Sequence, residues 1–136
     1  MEKELRLRVL LVKMGVDWMH DAGIRWVSSI LKDSGMEVIY LGYFQTAESV
    51  IKVAQQEDVD VIGVSAQAGE HLSHVPELLN LIKERDLKFP VIIGGVIPQV
   101  HVSTLKEQGA AGVFPSGATA EEIVKCIDEI AHNRSK

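Results

Sequence analysis

Short apolar runs alternate with stretches of helical periodicity five times along this 136-residue chain. This alternation limits the possible fold more than any other feature, because a short apolar run predicts a buried strand and apolar residues spaced by three and four predict a helix. The predicted order is therefore βαβαβαβαβα. Short connections and right-handed crossovers then favour one parallel sheet with helices on both faces. The predicted strands are Leu5–Val12, Glu37–Leu41, Val59–Val64, Pro90–Ile93 and Gly112–Phe114.

The segments between these strands predict five helices, several of which have a recognisable end. Thr46 suits a helix N-cap, and Thr119–Glu122 has the Thr-x-x-Glu pattern of a capping box. Gly35 follows the first helix, where glycine accepts a positive φ angle. A short fourth helix is predicted at Val102–Glu107, and Gly42–Gln45 is predicted as a loop. The leading choice is an α/β, flavodoxin-like (Rossmann-like) five-stranded parallel sheet of order 2-1-3-4-5.

Composition and charge argue against several classes of protein. With 46% hydrophobic and 24% charged residues the chain is globular in composition, and its net charge of −5 argues against a general nucleic-acid binder. Its apolar runs are too short to cross a bilayer, and the charged start Met1–Leu5 is unlike a signal peptide. Cys126, the one cysteine, is predicted to be a small buried hydrophobe. We expect one domain, residues 1–136, in a reducing cytoplasm.

Polar and small residues follow four of the five predicted strands. His20 follows the first strand, Ser65 and Gln67 the third, Gly94-Gly95 the fourth and Pro115–Ala118 the fifth. The carboxyl ends of parallel strands share one edge of a sheet, and ligands bind at that edge. Taken singly, Ser65 suits a helix cap and the glycine pair a turn. Together they predict a long groove with small walls, since glycine has no Cβ to keep a ligand away from the backbone.

Two phosphate-related functions of such a fold do not match the sequence. The chain contains no GxxxxGK[ST] motif, and no GxGxxG motif follows its first strand. Asp17 and Asp21 could form the acidic pair of a receiver-type phosphoacceptor. That site also needs an aspartate at the end of the third strand, where this chain has Ser65.

The same residues resemble the cobalamin-binding domain of the methylmalonyl-CoA mutase and methionine synthase class. That family carries a D-x-H-x-x-G motif, a later S-x-L motif and a G-G pair at characteristic spacings. Here His20–Gly23 supplies H-x-x-G, 41 residues separate it from Ser65, and 26 separate Gln67 from Gly94. The resemblance covers nearly the whole chain and is greatest to the acyl-CoA mutase branch, in which a free-standing domain of this length is a small subunit.

The resemblance implies a histidine ligand for cobalt. In the family the dimethylbenzimidazole tail of the cofactor leaves the cobalt, and a histidine takes its place as the lower ligand. On this chain His20 would be that metal ligand, with Asp17 or Asp21 holding its second ring nitrogen and Lys13 behind Asp17. Two residues, Trp18 and Met19, separate Asp17 from the histidine where the family has one.

The resemblance also implies a slot beside the third strand for the displaced tail. Ser65 would contact the tail base, Gly94-Gly95 would admit the nucleotide, and Phe114–Ala118 would close its far side. Gln67 stands in place of a leucine and Ala118 in place of a threonine of the family pattern. The implied cofactor-binding residues are Lys13, Asp17, His20, Asp21, Ala22, Gly23, Ser65, Gln67, Gly69, Gly94, Gly95, Phe114, Pro115, Ser116, Gly117 and Ala118.

The function that the resemblance implies is the small subunit of an adenosylcobalamin-dependent acyl-CoA mutase, an isomerase that rearranges carbon skeletons. Its partner would be a large barrel-type subunit that binds the acyl-CoA, so no catalytic residue is expected in this chain. Two alternatives stay open. One is a corrinoid protein that carries methyl groups, although such proteins usually have a helical bundle before the corrinoid domain. The other is a regulatory or interaction module on a flavodoxin-like fold.

Overall fold

The computed structural model describes residues 6–14, 22–66, 69 and 72–134, which form one parallel sheet covered by helices on both faces. Within these residues the strands are β1 (Arg8–Met14), β2 (Glu37–Gln45), β3 (Val61–Ala66), β4 (Val91–Gly95) and β5 (Gly112–Pro115). The helices are α1 (Ala22–Asp33), α2 (Ala47–Glu57), α3 (His74–Glu84), α4 (Val102–Glu107) and α5 (Ala120–Arg134), with a 3-10 turn at Gln99–His101. The sheet order β2-β1-β3-β4-β5 confirms the predicted flavodoxin-like fold.

The core lies in two layers, one on each face of the sheet. Side chains alternate between the faces along a strand, so Leu10 and Val12 pack with α2, α3 and α4, whereas Val9 and Leu11 pack with α1 and α5. On α1, Ile24 and Leu31 are buried in the second of these layers, and Val27 packs beside them. The helices therefore cover both faces, and the carboxyl edge of the sheet is left for the connecting loops.

Each strand continues further toward this carboxyl edge than the apolar pattern predicts. The predicted loop Gly42–Gln45 is wrong, since Gly42 pairs with Val12 and Gln45 with Met14. An apolar run does not mark where a strand ends, because lysine, serine and glycine make the same backbone hydrogen bonds as valine. The strands end at Met14, Gln45, Ala66, Gly95 and Pro115, where the pattern predicts Val12, Leu41, Val64, Ile93 and Phe114.

The predicted helix ends are confirmed where polar side chains mark them. The Thr46 hydroxyl accepts a hydrogen bond from the Ser49 backbone N–H at 3.1 Å. Glu122 N–H donates to Thr119 Oγ1 at 3.1 Å, and Thr119 N–H donates to Glu122 Oε1 at 2.8 Å, which is a reciprocal capping box. Gly35 has a φ of +89° after α1. The short helix α4 has its predicted bounds at both ends.

The capping box of α5 predicts a pH dependence of stability. The hydrogen bond from the Thr119 backbone N–H holds the pKa of the Glu122 carboxyl below its ordinary value of 4.5. A carboxyl whose pKa is lowered by folding stabilises the protein above its unfolded-state pKa, and this contribution is lost as the pH falls through the folded-state pKa. Glu122→Gln should therefore lower the melting temperature at pH 7, and the difference from the unaltered protein should shrink as the pH falls from 4.5 toward 3. Glu121→Gln, a charge change in the same turn, is the control. A deficit of the same size at both pH values would contradict the assignment.

Cys126 lies on α5 and packs against the layer that α1 and α5 form. It is half-buried, whereas the sequence predicted a fully buried side chain. A Cβ at Gly112 would lie 2.9 Å from its sulfur, so α5 approaches β5 closely at this point. Burial raises the pKa of the thiol, which keeps it protonated and unreactive at neutral pH. In the described part of the chain no helix is long and apolar enough to span a bilayer.

Candidate functional site

A row of side chains crosses the sheet near its carboxyl edge. In the strand registers Lys13 pairs with Ser65, Ser65 with Gly94, and Gly94 with Phe114. Paired residues of parallel strands point to the same face, and Phe114 packs with the layer of α1 and α5. The row therefore faces these two helices. At the centre of the row, Ser65 has only a hydroxymethyl group and Gly94 has no side chain. Little side-chain volume therefore covers the backbone of β3 and β4 at this point.

A cavity of about 320 Å³ lies above this bare part of the sheet, between α1 and the start of α5. Its surface is mostly apolar, with Ser65 and Ser116 as the side chains that carry hydroxyl groups. The lining residues are Leu11, Gly23, Ile24, Trp26, Val27, Gly63, Val64, Ser65, Ile92, Gly94, Gly95, Phe114, Pro115, Ser116, Gly117, Ala118 and Ile123.

Two glycines that lie under the cavity differ in what covers them. A Cβ built at Gly63 would lie 2.7 Å from Leu11 Cδ2, so the leucine side chain already fills the space that this glycine leaves. A Cβ built at Gly94 would meet nothing closer than the Phe114 carbonyl oxygen at 3.6 Å, which is an ordinary contact. Gly94 also lacks the positive φ angle that would demand glycine. The backbone conformation does not require glycine at this position, and the absence of a side chain leaves the floor of the cavity open.

Lys13 is 1% exposed and stands in β1 beside Ser65. A lysine is seldom buried to this degree without a partner, and Lys13 does have polar or electrostatic interactions in the structure. It belongs to the strand and not to the loop after it, and it does not line the cavity.

The turn between β5 and α5 closes one end of the cavity. The Ser116 hydroxyl donates to the Gly95 carbonyl oxygen at 3.4 Å, which links this turn to the end of β4. Gly117 has a φ of +101°, a conformation that L side chains rarely adopt, and the Ala118 N–H donates to the Pro115 carbonyl at 3.3 Å. The capping box of α5 follows this turn directly in the chain, so the position of the turn is coupled to the start of the helix.

Not all of the residues implied by the resemblance come together at the cavity. Gly23, Ser65, Gly94, Gly95 and the five residues from Phe114 to Ala118 line it. Ala22 is an exposed first residue of α1, and Gly69 lies elsewhere; neither lines the cavity. The predicted residues outside the described part of the chain are Asp17, His20, Asp21 and Gln67. The described residues contain no cluster of three or more His, Cys, Asp or Glu side chains that could hold a metal ion.

Sequence reasoning missed part of the cavity lining, most notably Trp26 and Gly63. Trp26 was missed because an indole in an amphipathic helix is ordinary, and Gly63 because it lies inside a strand. A glycine inside a strand often marks a close approach of another group, and that signal could have identified Gly63.

The site suits a flat, largely apolar group that enters from the carboxyl edge. Small-molecule sites of proteins are typically apolar clefts of about 300–1,000 Å³ with a few polar groups that fix orientation. This cavity is at the small end of that range, and its floor lets a ligand lie directly on the backbone of β3 and β4. The described lining holds apolar groups, hydroxyls and backbone, so binding rather than acid–base catalysis is the chemistry that it offers.

Comparison with known proteins gives a consistent result. The B12 binding domain family matches residues 7–125. The small subunit of pivalyl-CoA mutase from Xanthobacter autotrophicus is 45% identical over 122 residues, which are 89% of this chain and 81% of that protein. The small subunit of 2-hydroxyisobutanoyl-CoA mutase from Aquincola tertiaricarbonis is 38% identical over 129 residues, 94% of each protein.

Among solved structures, a cobalamin-binding protein from Desulfitobacterium hafniense DCB-2 superposes with a TM-score of 0.78. The match covers 92% of this chain and 59% of that one, at 23% sequence identity. A likeness at this identity shows a shared fold.

Proposed function

Because the chain belongs to the B12-binding domain family, we propose that it is the cobalamin-binding small subunit of an acyl-CoA mutase. The cavity carries this proposal, since it is an apolar slot at the carboxyl edge with a bare floor at Ser65 and Gly94. Two mutase small subunits match this chain over most of their length, which favours a mutase over a methyl carrier.

The residues present fit the nucleotide tail of cobalamin. The tail base is flat and mostly apolar, and the slot offers apolar walls and a floor without side chains at Gly94. The hydroxyl oxygens of Ser65 and Ser116 lie on the lining, and a hydroxyl oxygen can accept a hydrogen bond from a ligand. Charged side chains are absent from the described lining, so an uncharged base can enter without leaving an unpaired charge buried.

The proposal divides the chemistry between this chain and its cofactor. Bound adenosylcobalamin supplies the radical chemistry of the rearrangement. The chain would hold the tail in the cavity, and His20 would supply an imidazole ligand for cobalt. Asp17 or Asp21 would hold the other ring nitrogen, which would fix the tautomer and make the imidazole a stronger donor. A large barrel-type partner subunit binds the acyl-CoA. A cytoplasmic location belongs to the same proposal, and the lone cysteine, which allows no internal disulfide, supports it.

Electron paramagnetic resonance of the chain with cob(II)alamin tests the binding mode. With all histidines labelled with nitrogen-15, the superhyperfine splitting on cobalt should change from the pattern of nitrogen-14 to that of nitrogen-15. His20→Ala should remove the protein-derived splitting, whereas His132→Ala, on α5, should leave it intact. A splitting that does not respond to the label would show that the tail base stays on cobalt and that the histidine assignment is wrong.

A further inference from the structure

Trp26 differs from the other exposed large apolar residues that the structure describes. These residues are Trp26, Tyr40, Leu72, Val96 and Val100. Trp26 is 49% exposed, and among them it alone lines the cavity. The face of α1 that packs in the core carries Ile24, Val27 and Leu31, and Trp26 is not part of that layer. It lies where the cavity meets solvent.

The position of Trp26 on α1 directs its side chain toward the carboxyl edge of the sheet. Helical side chains lean toward the N-terminus of the helix and cover the turn before their own Cα. The residue one turn earlier on this face is Gly23, which has no side chain and also lines the cavity. Gly23 therefore places no side chain over the first turn of α1 that would cover the indole.

Other described lining residues form the floor and the far end of the cavity, and Trp26 lies on the side that faces solvent. The floor is made by the backbone and small side chains of β3 and β4, with Gly94 at its centre, and the far end by Phe114 and the turn that follows it. An aromatic ring offers a large rigid face at low entropic cost and contacts other aromatic rings favourably. A ligand with an aromatic base would thus cover apolar surface of Trp26 that is now exposed to water.

We infer that Trp26 is a binding residue for the nucleotide tail of the corrinoid and forms the solvent-side wall against its aromatic base. This inference rests on the proposed function and adds a recognition residue to it. It implies that Trp26 contributes to the affinity for a corrinoid that has a tail base and not to the affinity for one that lacks it.

Titration of Trp26→Leu with adenosylcobalamin and adenosylcobinamide, which lacks the nucleotide tail, separates the two contributions. Loss of a base–aromatic contact costs about tenfold or more in affinity, so Trp26→Leu should bind adenosylcobalamin about tenfold more weakly and adenosylcobinamide as well as the unaltered chain does. Trp26→Phe keeps an aromatic face and should recover most of the loss. Tyr40→Leu removes an aromatic residue that is 45% exposed and lies outside the cavity lining, and it should change neither affinity.

Nuclear magnetic resonance supplies a readout that is independent of affinity. In the chain labelled with nitrogen-15, the indole N–H signal that Trp26→Phe removes should shift with adenosylcobalamin and much less with adenosylcobinamide. Equal loss of both affinities in Trp26→Leu, or loss of neither, would overturn the inference and leave the proposed function standing. If the unaltered chain binds neither corrinoid, the proposed function fails and the inference fails with it.

Discussion

Gly94→Val is expected to weaken the binding of adenosylcobalamin by about ten- to a hundredfold, because overfilling a packed site costs about 1–3 kcal/mol. The protein itself should fold normally. A Cβ at this position makes only ordinary contacts with Phe114, the backbone angle does not require glycine, and valine is a good strand residue. The added methyl groups instead occupy the cavity floor on which the tail base would lie.

The matched control is Ile93→Val, which changes the preceding residue of the same strand. Ile93 is fully buried on the opposite face of the sheet, in the layer of α2, α3 and α4. Its shortening should cost about 0.5–1.5 kcal/mol of stability and leave corrinoid affinity unchanged. Equilibrium titration followed by absorbance, together with thermal unfolding, measures both quantities. Unchanged affinity in a folded Gly94→Val variant would show that the ligand does not use this cavity.

The chain loaded with adenosylcobalamin is expected to produce no detectable product from pivalyl-CoA or 2-hydroxyisobutanoyl-CoA when its partner is absent. Radical rearrangement requires a site that excludes water. The described cavity is a slot of about 320 Å³ that reaches the sheet edge, and it has no charged lining for a coenzyme A phosphate. Product analysis by mass spectrometry makes this measurement. The control is cofactor retention on the same sample, which shows that the chain was loaded. Turnover by the pure chain would refute the division of labour between two subunits.

The fold was predictable because its signals are local. Alternation of apolar runs with helical spacing determines the element order, and caps such as Thr46 and Thr119 lie within one turn of the residues that they bind. Strand ends were not predictable to the same degree. Gln45 and Gly95 belong to strands because neighbouring backbones pair with them, and the apolar pattern of their own segment does not reveal that pairing.

The candidate site also contains residues that the sequence predicts and residues that it does not. Ser65 and Gly94 stood out as polar or small residues at the ends of apolar runs, and the structure brings both to the cavity. Trp26 did not stand out, because an indole in an amphipathic helix is ordinary. Its position at the mouth of the cavity depends on how α1 packs over a sheet whose strands come from distant parts of the chain.

The sequence by itself determined that polar and small residues collect at one edge of a parallel sheet. The tertiary structure alone decided which of them share a face. The registers place Lys13, Ser65, Gly94 and Phe114 in one row toward α1 and α5, and a shift of one residue in any pairing would turn a strand over. Packing likewise decided that Leu11 covers Gly63 while Gly94 stays bare. Backbone pairing and side-chain packing between distant segments set both outcomes, and no local pattern contains them.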